Sequence, residues 1–369
     1  MMFKIRSKED IDYLVTGLTF YGTGGGGNPD NGRKILYEIF DSGKELSWID
    51  INETVDHGLA VTPYIMGSAA PEPSYITNLK REIGLLNKIW DFPMVEALKE
   101  LETQIESPIS YIIIPLELGG GSTARALALS SLADLDIVNG DYAGRAVPEI
   151  TQVLPSIYGY EATPIVAADE YGNIVIIKKT INNMVAERFG KLISEISYAQ
   201  VGFPLDIRIA RKLIVPRTLT KSYEVGQLLR SESNIKSCIE KLEKKIGSKL
   251  IFKGVLKRIQ WETIDYYMVG KSEFDGLDEF KGFNLIIWFK NENHLAFLNG
   301  NLIAYSPDLI SIIDKDNCSP LTNTRLKIGD QYIVFVTKSD ERLKSKEAQK
   351  FIGKEYFMSQ YEKYEKLKK

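Results

Sequence analysis

Histidine and cysteine are nearly missing from this chain, with two of each in 369 residues. With only His57 and His294, a three-histidine zinc site within one chain is excluded, and acid–base work falls to carboxylates. Cys238 and Cys318 cannot build a disulfide framework, and two thiols alone do not make a structural zinc site. A reducing, cytoplasmic setting is therefore expected. A basic excess is also lacking: 46 Lys and Arg face 49 Asp and Glu, for a net charge of −3. Nothing points to nucleic acid as a partner. No apolar run reaches the roughly 18 residues of a membrane span, since YIIIP at 111–115 is strand-sized, and MMFKIRSKEDID lacks the apolar core of a signal peptide. No membrane partner is expected.

What the chain does have is glycine in clusters. Residues 22–29 read GTGGGGNP, with four consecutive glycines at Gly24, Gly25, Gly26 and Gly27. The loop lies between two expected helices. Ser7 and Asp10 form an approximate capping box ahead of Ile11, Leu14, Val15 and Leu18, which predicts a helix over 8–20. Asn28 is a good N-cap and Pro29 a good first residue for the next helix. Nucleotide-binding glycine loops join a strand to a helix, and no Gly-Lys-Ser/Thr follows here, so both standard nucleotide motifs fail. Glycines without Cβ atoms allow a ligand to approach the backbone, and a helix N-terminus adds partial positive charge. The bland alternative is a flexible turn, which would need fewer glycines.

Residues 111–149 hold a second cluster. The pattern predicts a strand at 111–118, the turn ELGGGS at 117–122, a helix over 122–134 and a strand at 135–139. Such a βαβ unit with continuous apolar strands implies an α/β domain built on a mainly parallel sheet. Parallel strands would bring Glu117 and Asp141 to one C-terminal sheet edge, where α/β proteins bind ligands. Gly119, Gly120 and Ser122 resemble the first glycine loop in standing before a helix. Asp141, Arg145 and Glu149 follow the second strand as a candidate site, although Arg145 could simply pair with Glu149.

Further strands are expected at 46–51 and 58–66, and helices at 93–106, 183–197 and 234–246. The apolar face of the helix at 183–197 is assigned to Val185, Phe189, Leu192, Ile193 and Ile196. Cys238 falls on a core stripe. From 249 to about 337, short β-type runs separated by Gly, Asn and Asp turns predict a barrel or sandwich. The Lys/Glu-rich end reads as a solvated helix. The expected division is an α/β domain over 1–248, a β domain over 249–340 and a charged helical tail over 341–369. His57 and His294 are read as loop or turn residues without a chemical role.

Taken in order, GTGGGGNP (22–29), MGSAAP (66–71), ELGGGS (117–122) and NGDYAGRAVPE (139–149) resemble the S-methyl-thiohydantoin desulfurase family. PDLI (307–310) and PLTNTRLKIGD (320–330) add weaker support. The resemblance implies a three-layer α/β domain followed by a small β-barrel-like domain, and conversion of an S-methyl-thiohydantoin to a hydantoin. Departures are Asn139 in place of a first family carboxylate and Gly121 in place of an asparagine.

Three readings follow. The first is a hydrolase of a small cyclic amide, in which Asp141, Glu117 or Glu149 activates water, glycine-loop amides and Asn28 bind substrate, and Arg145 holds an oxygen. It needs no cofactor. The second is a non-catalytic small-ligand or nucleotide-binding subunit of a hydantoinase-type system. The third uses Glu117, Asp141 and Glu149 as hard ligands for a divalent metal. A small molecule is the expected partner, and the sequence leaves open whether the chain forms a homo-oligomer.

Overall fold

The computed structural model describes residues 2–54, 57–105, 111–232 and 234–368. Its first helix, Lys8–Tyr21, begins at the expected capping box: Ser7 Oγ accepts from the Asp10 amide, and the Asp10 carboxylate accepts from the Ser7 amide, both at 3.1 Å. Its partner is a helix the sequence reading passed over, Thr218–Ser231. The two backbones touch where they cross. A Cβ on Gly17 would lie 1.7 Å from the Ser222 carbonyl oxygen, and one on Gly226 would lie 1.6 Å from that of Tyr13.

The first sheet is mixed, and this corrects the expectation of a mainly parallel one. Its five strands run in the order Tyr111–Ile113, Leu59–Ile65, Ala199–Asp206, Ile165–Ala168, Ile174–Ile177. Only the first pair is parallel. The βαβ unit exists, with helix Ser122–Ala133, but its strands are short. The one expected at 111–118 leaves the ladder after Ile113, near Pro115, which has no N–H to donate. The one expected at 135–139 makes single parallel bridges through Ile137 and Val138. Of the remaining strands, Ile165–Ala168 and Ile174–Ile177 form a hairpin, and Ala199–Asp206, entering after the helix Asn183–Ile193, runs antiparallel to both of its neighbours.

The helices expected at 93–106 and 234–246 are found as Pro93–Gln104 and Ile235–Ile246; residue 106 lies outside the described residues. Cys238 is buried in the core. The helix Asn183–Ile193 is turned over relative to its expected orientation. Phe189 and Leu192 are largely exposed, while Glu187 and Lys191 are buried. The reason is chemical: those two charges have partners inside, described below.

The second sheet contains seven strands between Lys249 and Thr337, all antiparallel, in the order 301–305, 292–298, 284–290, 267–276, 249–264, 331–337, 309–314. Bulges between Leu250 and Phe252 and between Leu256 and Arg258 bend its longest strand and curl it into a half-barrel. Asp265 and Tyr266 both adopt positive φ at the tip of the longest hairpin, the geometry that matches strand twist. Phe252, Phe274, Leu285 and Val334 fill the concave side.

The charged tail is not a free solvated helix. Helices Lys346–Ile352 and Lys354–Leu367 bury Ala348, Ile352, Phe357 and Tyr364. Phe357 stacks on His294 with ring centroids 3.7 Å apart. Burial holds the His294 imidazole well below its usual pKa, and its Nδ1 lies 2.7 Å from Ser306 Oγ. No helix among the described residues is long and apolar enough to cross a membrane.

Candidate functional site

The two glycine loops pack backbone against backbone. The Gly26 carbonyl accepts from the amides of Gly121 at 3.0 Å and Ser122 at 3.1 Å. A Cβ on Gly26 would stand 2.5 Å from Gly119 Cα, and one on Gly120 would stand 2.8 Å from Pro29 Cβ. Gly24, Gly26 and Gly27 also have positive φ. The glycines are therefore needed for this contact as well as for their backbone shape.

Beside the contact lies a cavity of about 90 Å³. All four sequence motifs reach it: Gly26 and Gly27 from the first, Met66 to Ala69 from the second, Glu117 and Ser122 from the third, Val147 to Glu149 from the fourth. Glu292, at the start of strand Glu292–Leu298, closes it from the second sheet.

Glu117 and Glu292 give the cavity its chemistry. Glu117 Oε2 accepts from the Val147 amide at 2.6 Å, and Glu292 Oε1 accepts from the Gly26 amide at 3.2 Å. Burial pushes the Glu117 carboxyl up to about 7, against the pull of the Val147 amide. Burial and, after it, the charge of Glu117 push Glu292 up to about 8. Two carboxyls held this way retain a proton between them near neutrality. Around them Glu292 Oε2, Tyr64 Oη and Ser122 Oγ are buried without a hydrogen-bond partner. Ser122 lies close enough to Glu117 to favour its charged form, yet not in hydrogen-bond geometry.

Lys191 brings a positive charge to the cavity. Lys191 Nζ donates to the Gly67 carbonyl at 3.0 Å and lies 3.9 Å from Glu187 Oε1. Burial lowers its pKa, and Glu187 opposes that shift. Lys191 and Lys290 stand 4.2 and 3.9 Å from the Tyr267 ring centroid. Lys290 also pairs with Glu149, which accepts from Tyr356 Oη at 2.8 Å. The C-terminal helix thus reaches the cavity rim through Tyr356.

The other expected site residues lie elsewhere. Asp141 is fully buried and not on the cavity; its Oδ2 accepts from the amides of Ala143 and Gly144 at 3.0 and 2.7 Å. Burial pushes it up to about 7. Arg145 is also fully buried, donating to Ser306 Oγ, Thr23 Oγ1 and the carbonyls of Pro307, Asp308 and Asn293. It does not pair with Glu149. Gly24 abuts Asn293 and Asn323, Gly25 abuts Glu292, and Gly119 and Gly120 serve the interloop contact. Asn28 caps its helix through the amides of Asp30 and Asn31. The three-carboxylate metal site is not formed: among the described residues no three His, Cys, Asp or Glu side chains are grouped to hold a metal ion. Asp141 is engaged by amides and Glu149 by Lys290 and Tyr356.

Sequence reading missed Glu292, Lys191 and Tyr64. Glu292 sits in NEN, where a hairpin turn explains the polarity, and Tyr64 reads as a strand aromatic. Lys191 carried a signal in the form of a charge four residues from Glu187, the spacing of a helical ion pair.

A mixed α/β body whose glycine loops meet a curled antiparallel sheet over a buried carboxylate pair defines the class. The profile described as S-Me-THD-like, N-terminal domain, matches residues 9–179, and that described as S-Me-THD-like, C-terminal domain, matches residues 186–366. The chain belongs to the S-Me-THD-like family. A crystal structure of a protein from Chromobacterium violaceum is similar over 94% of this chain and 95% of that one, with TM-score 0.75 and 20% identity. That likeness concerns the fold. No curated protein matches the chain.

Proposed function

We propose that the chain hydrolyses a small hydantoin-like ring, with an S-methyl-thiohydantoin as the first substrate class to test. The observation that carries this reading is the Glu117–Glu292 pair, two buried carboxyls pushed up to about 7 and about 8 on one small cavity. In the singly protonated pair one member is a base and the other an acid. Glu117 takes a proton from water as its oxygen bonds to the ring carbon bearing the S-methyl group. Protonated Glu292 donates to the ring nitrogen, which takes up the electron pair of the C=N bond. Collapse forms the carbonyl and breaks the C–S bond, and the hydroxyl proton passes to the departing sulfur, which leaves as methanethiol. Lys191 and the Ser122 hydroxyl stabilise negative charge while it develops. Asp141 is assigned to shaping the 141–147 loop, and Arg145 to joining that loop to the second sheet.

The test is turnover of S-methyl-thiohydantoins by the purified chain, read as methanethiol release. Glu117→Gln and Glu292→Gln should each lower kcat by about 10²–10⁴-fold. Asp141→Asn should stay within about threefold of the parent. Loss of turnover in Asp141→Asn with normal turnover in Glu117→Gln would reverse the roles. Binding of the ring without turnover would favour an accessory subunit instead.

A further inference from the structure

The helix Asn183–Ile193 turns two charges inward and its apolar stripe outward. Its orientation is fixed from inside. Glu187 accepts from Tyr267 Oη at 2.7 Å and from the Ile150 amide at 2.9 Å, while Lys191 donates to the Gly67 carbonyl. Rolling the helix over to hide the stripe would break all three bonds. Val185, Phe189 and Leu192 follow at spacings of four and three, which places them on one face, with Met184 beside Val185 and Ile181 just ahead of the helix. Ile181 is 87% exposed, Met184 64%, Phe189 46% and Leu192 45%. These four leave open on the order of 500 Å², toward the upper end for the largest apolar patch of a monomer.

Two features select a second copy of this chain as the cover. The first is charge. Arg188 and Glu195 flank Phe189 and Leu192, seven positions apart and of opposite sign; the Arg188 side chain is 53% exposed and Glu195 half-buried. An antiparallel pair of these helices, with a two-fold axis between Phe189 and Leu192, sets Phe189 against Leu192 of the second copy. Arg188 then falls roughly 3 Å along the axis from Glu195 of the second copy, and symmetry makes the pair twice. Its present partner Asp265, at 3.4 Å and 70% exposed, holds Arg188 only weakly. A membrane surface would call for a rim of positive sign, whereas this rim carries both signs. The second feature is area. A stable dimer buries roughly 800 Å² per partner. The apolar centre supplies more than half of that, and Arg188 lies over the Tyr266 ring of the neighbouring hairpin tip, which extends the face.

We infer that the chain forms a two-fold dimer through the outer faces of helix Asn183–Ile193. Such a dimer does not depend on the hydrolytic reading, and its readout is mass in solution. Sedimentation velocity of the full chain should show a concentration-dependent dimer with Kd below roughly 10 µM. Phe189→Glu and Leu192→Glu should each raise Kd about 100-fold or more, with unchanged near-UV circular dichroism. Arg188→Glu and Glu195→Arg should each weaken the dimer about tenfold when alone, because like charges then meet. An equal mixture of those two variants should dimerise as well as the parent, since each copy offers the charge the other needs. A parent that stays monomeric up to about 100 µM, a dimer unmoved by Phe189→Glu, or a mixture no better than its components would overturn the assignment. Binding of a monomeric parent to phosphatidylglycerol vesicles would overturn it as well and give the face to lipid.

Discussion

The amide of Gly26 donates to the carboxylate of Glu292 at 3.2 Å, joining positions 266 residues apart. The neighbouring glycine is what lets the carboxylate come so close. A Cβ on Gly25 would lie 2.0 Å from Glu292 Oε1, whereas one on Gly43, which unlike Gly25 has positive φ, would meet nothing within 4 Å. Gly25→Ala should therefore displace Glu292 and lower kcat at least tenfold. Gly43→Ala should cost only about 1 kcal/mol of stability and leave turnover unchanged. Equal kinetics in the two variants, measured beside urea unfolding, would separate Gly25 from the site.

Stability should fall as pH rises. Glu117 and Glu292 are raised to about 7 and about 8, above the 4.5 of a free glutamic acid, and Asp141 to about 7, above 3.8. Below about pH 3 these groups are protonated in both folded and unfolded chains, and their contribution is fully present. Between pH 4.5 and 8 the unfolded chain releases protons that the folded chain retains, and the contribution is lost. Tm should drop across that range, and Glu292→Gln should flatten the drop. A Tm that rises from pH 5 to 8 would contradict the burial of these carboxyls.

Turnover should trace a bell between the two carboxyl values, with its optimum near pH 7 to 8. Glu292→Gln should abolish the alkaline limb along with most of the rate. A pH profile that keeps the limb in that variant would assign the acid to another group.

Arg145→Lys should act on the fold. A lysine cannot reach Ser306, Thr23 and the carbonyls of Pro307, Asp308 and Asn293 together. The expected loss is about 2–4 kcal/mol in denaturant unfolding, by analogy with other broken buried charge networks. KM should move little. A large KM change at unaltered stability would return Arg145 to the substrate-binding role suggested by its place after a strand.

Phe357→Ala should cost about 3–5 kcal/mol, since the ring is fully buried against His294. Tyr356→Phe should leave Tm within a few degrees but shift KM, because it frees one partner of Glu149 at the cavity rim. Unchanged stability in Phe357→Ala would mean that the tail is not docked.

Local rules made much of this fold legible. Ser7, Asp10, Asn28 and Pro29 mark helix starts by side-chain chemistry that acts within four residues. The strands from 249 onward announce themselves by β-branched and aromatic runs between turns. Sheet direction was less accessible, because whether a strand enters by crossover or hairpin depends on distant partners such as Asp206 opposite Leu59. Helix Asn183–Ile193 shows the same limit: apolar spacing pointed Phe189 inward, while Glu187 and Lys191 found buried partners in Tyr267 and Gly67. At the site, Glu117 and Ser122 were visible because they flank a glycine turn, and Glu149 because it follows an apolar strand among other charged residues. Glu292 was hidden because a turn and a cavity wall call for the same polar residues.

The span between Gly26 and Glu292 also sets a timetable for biosynthesis. A nascent chain that has emerged only as far as the first sheet carries Glu117 and both glycine loops, yet lacks the second carboxyl. Contacts that close such long loops form late in folding. The ribosome must deliver more than three quarters of the chain, about 290 residues, before the pair can share a proton. Until then the growing polypeptide holds Glu117 without its partner, and the carboxyl pair is complete only when synthesis has reached the half-barrel.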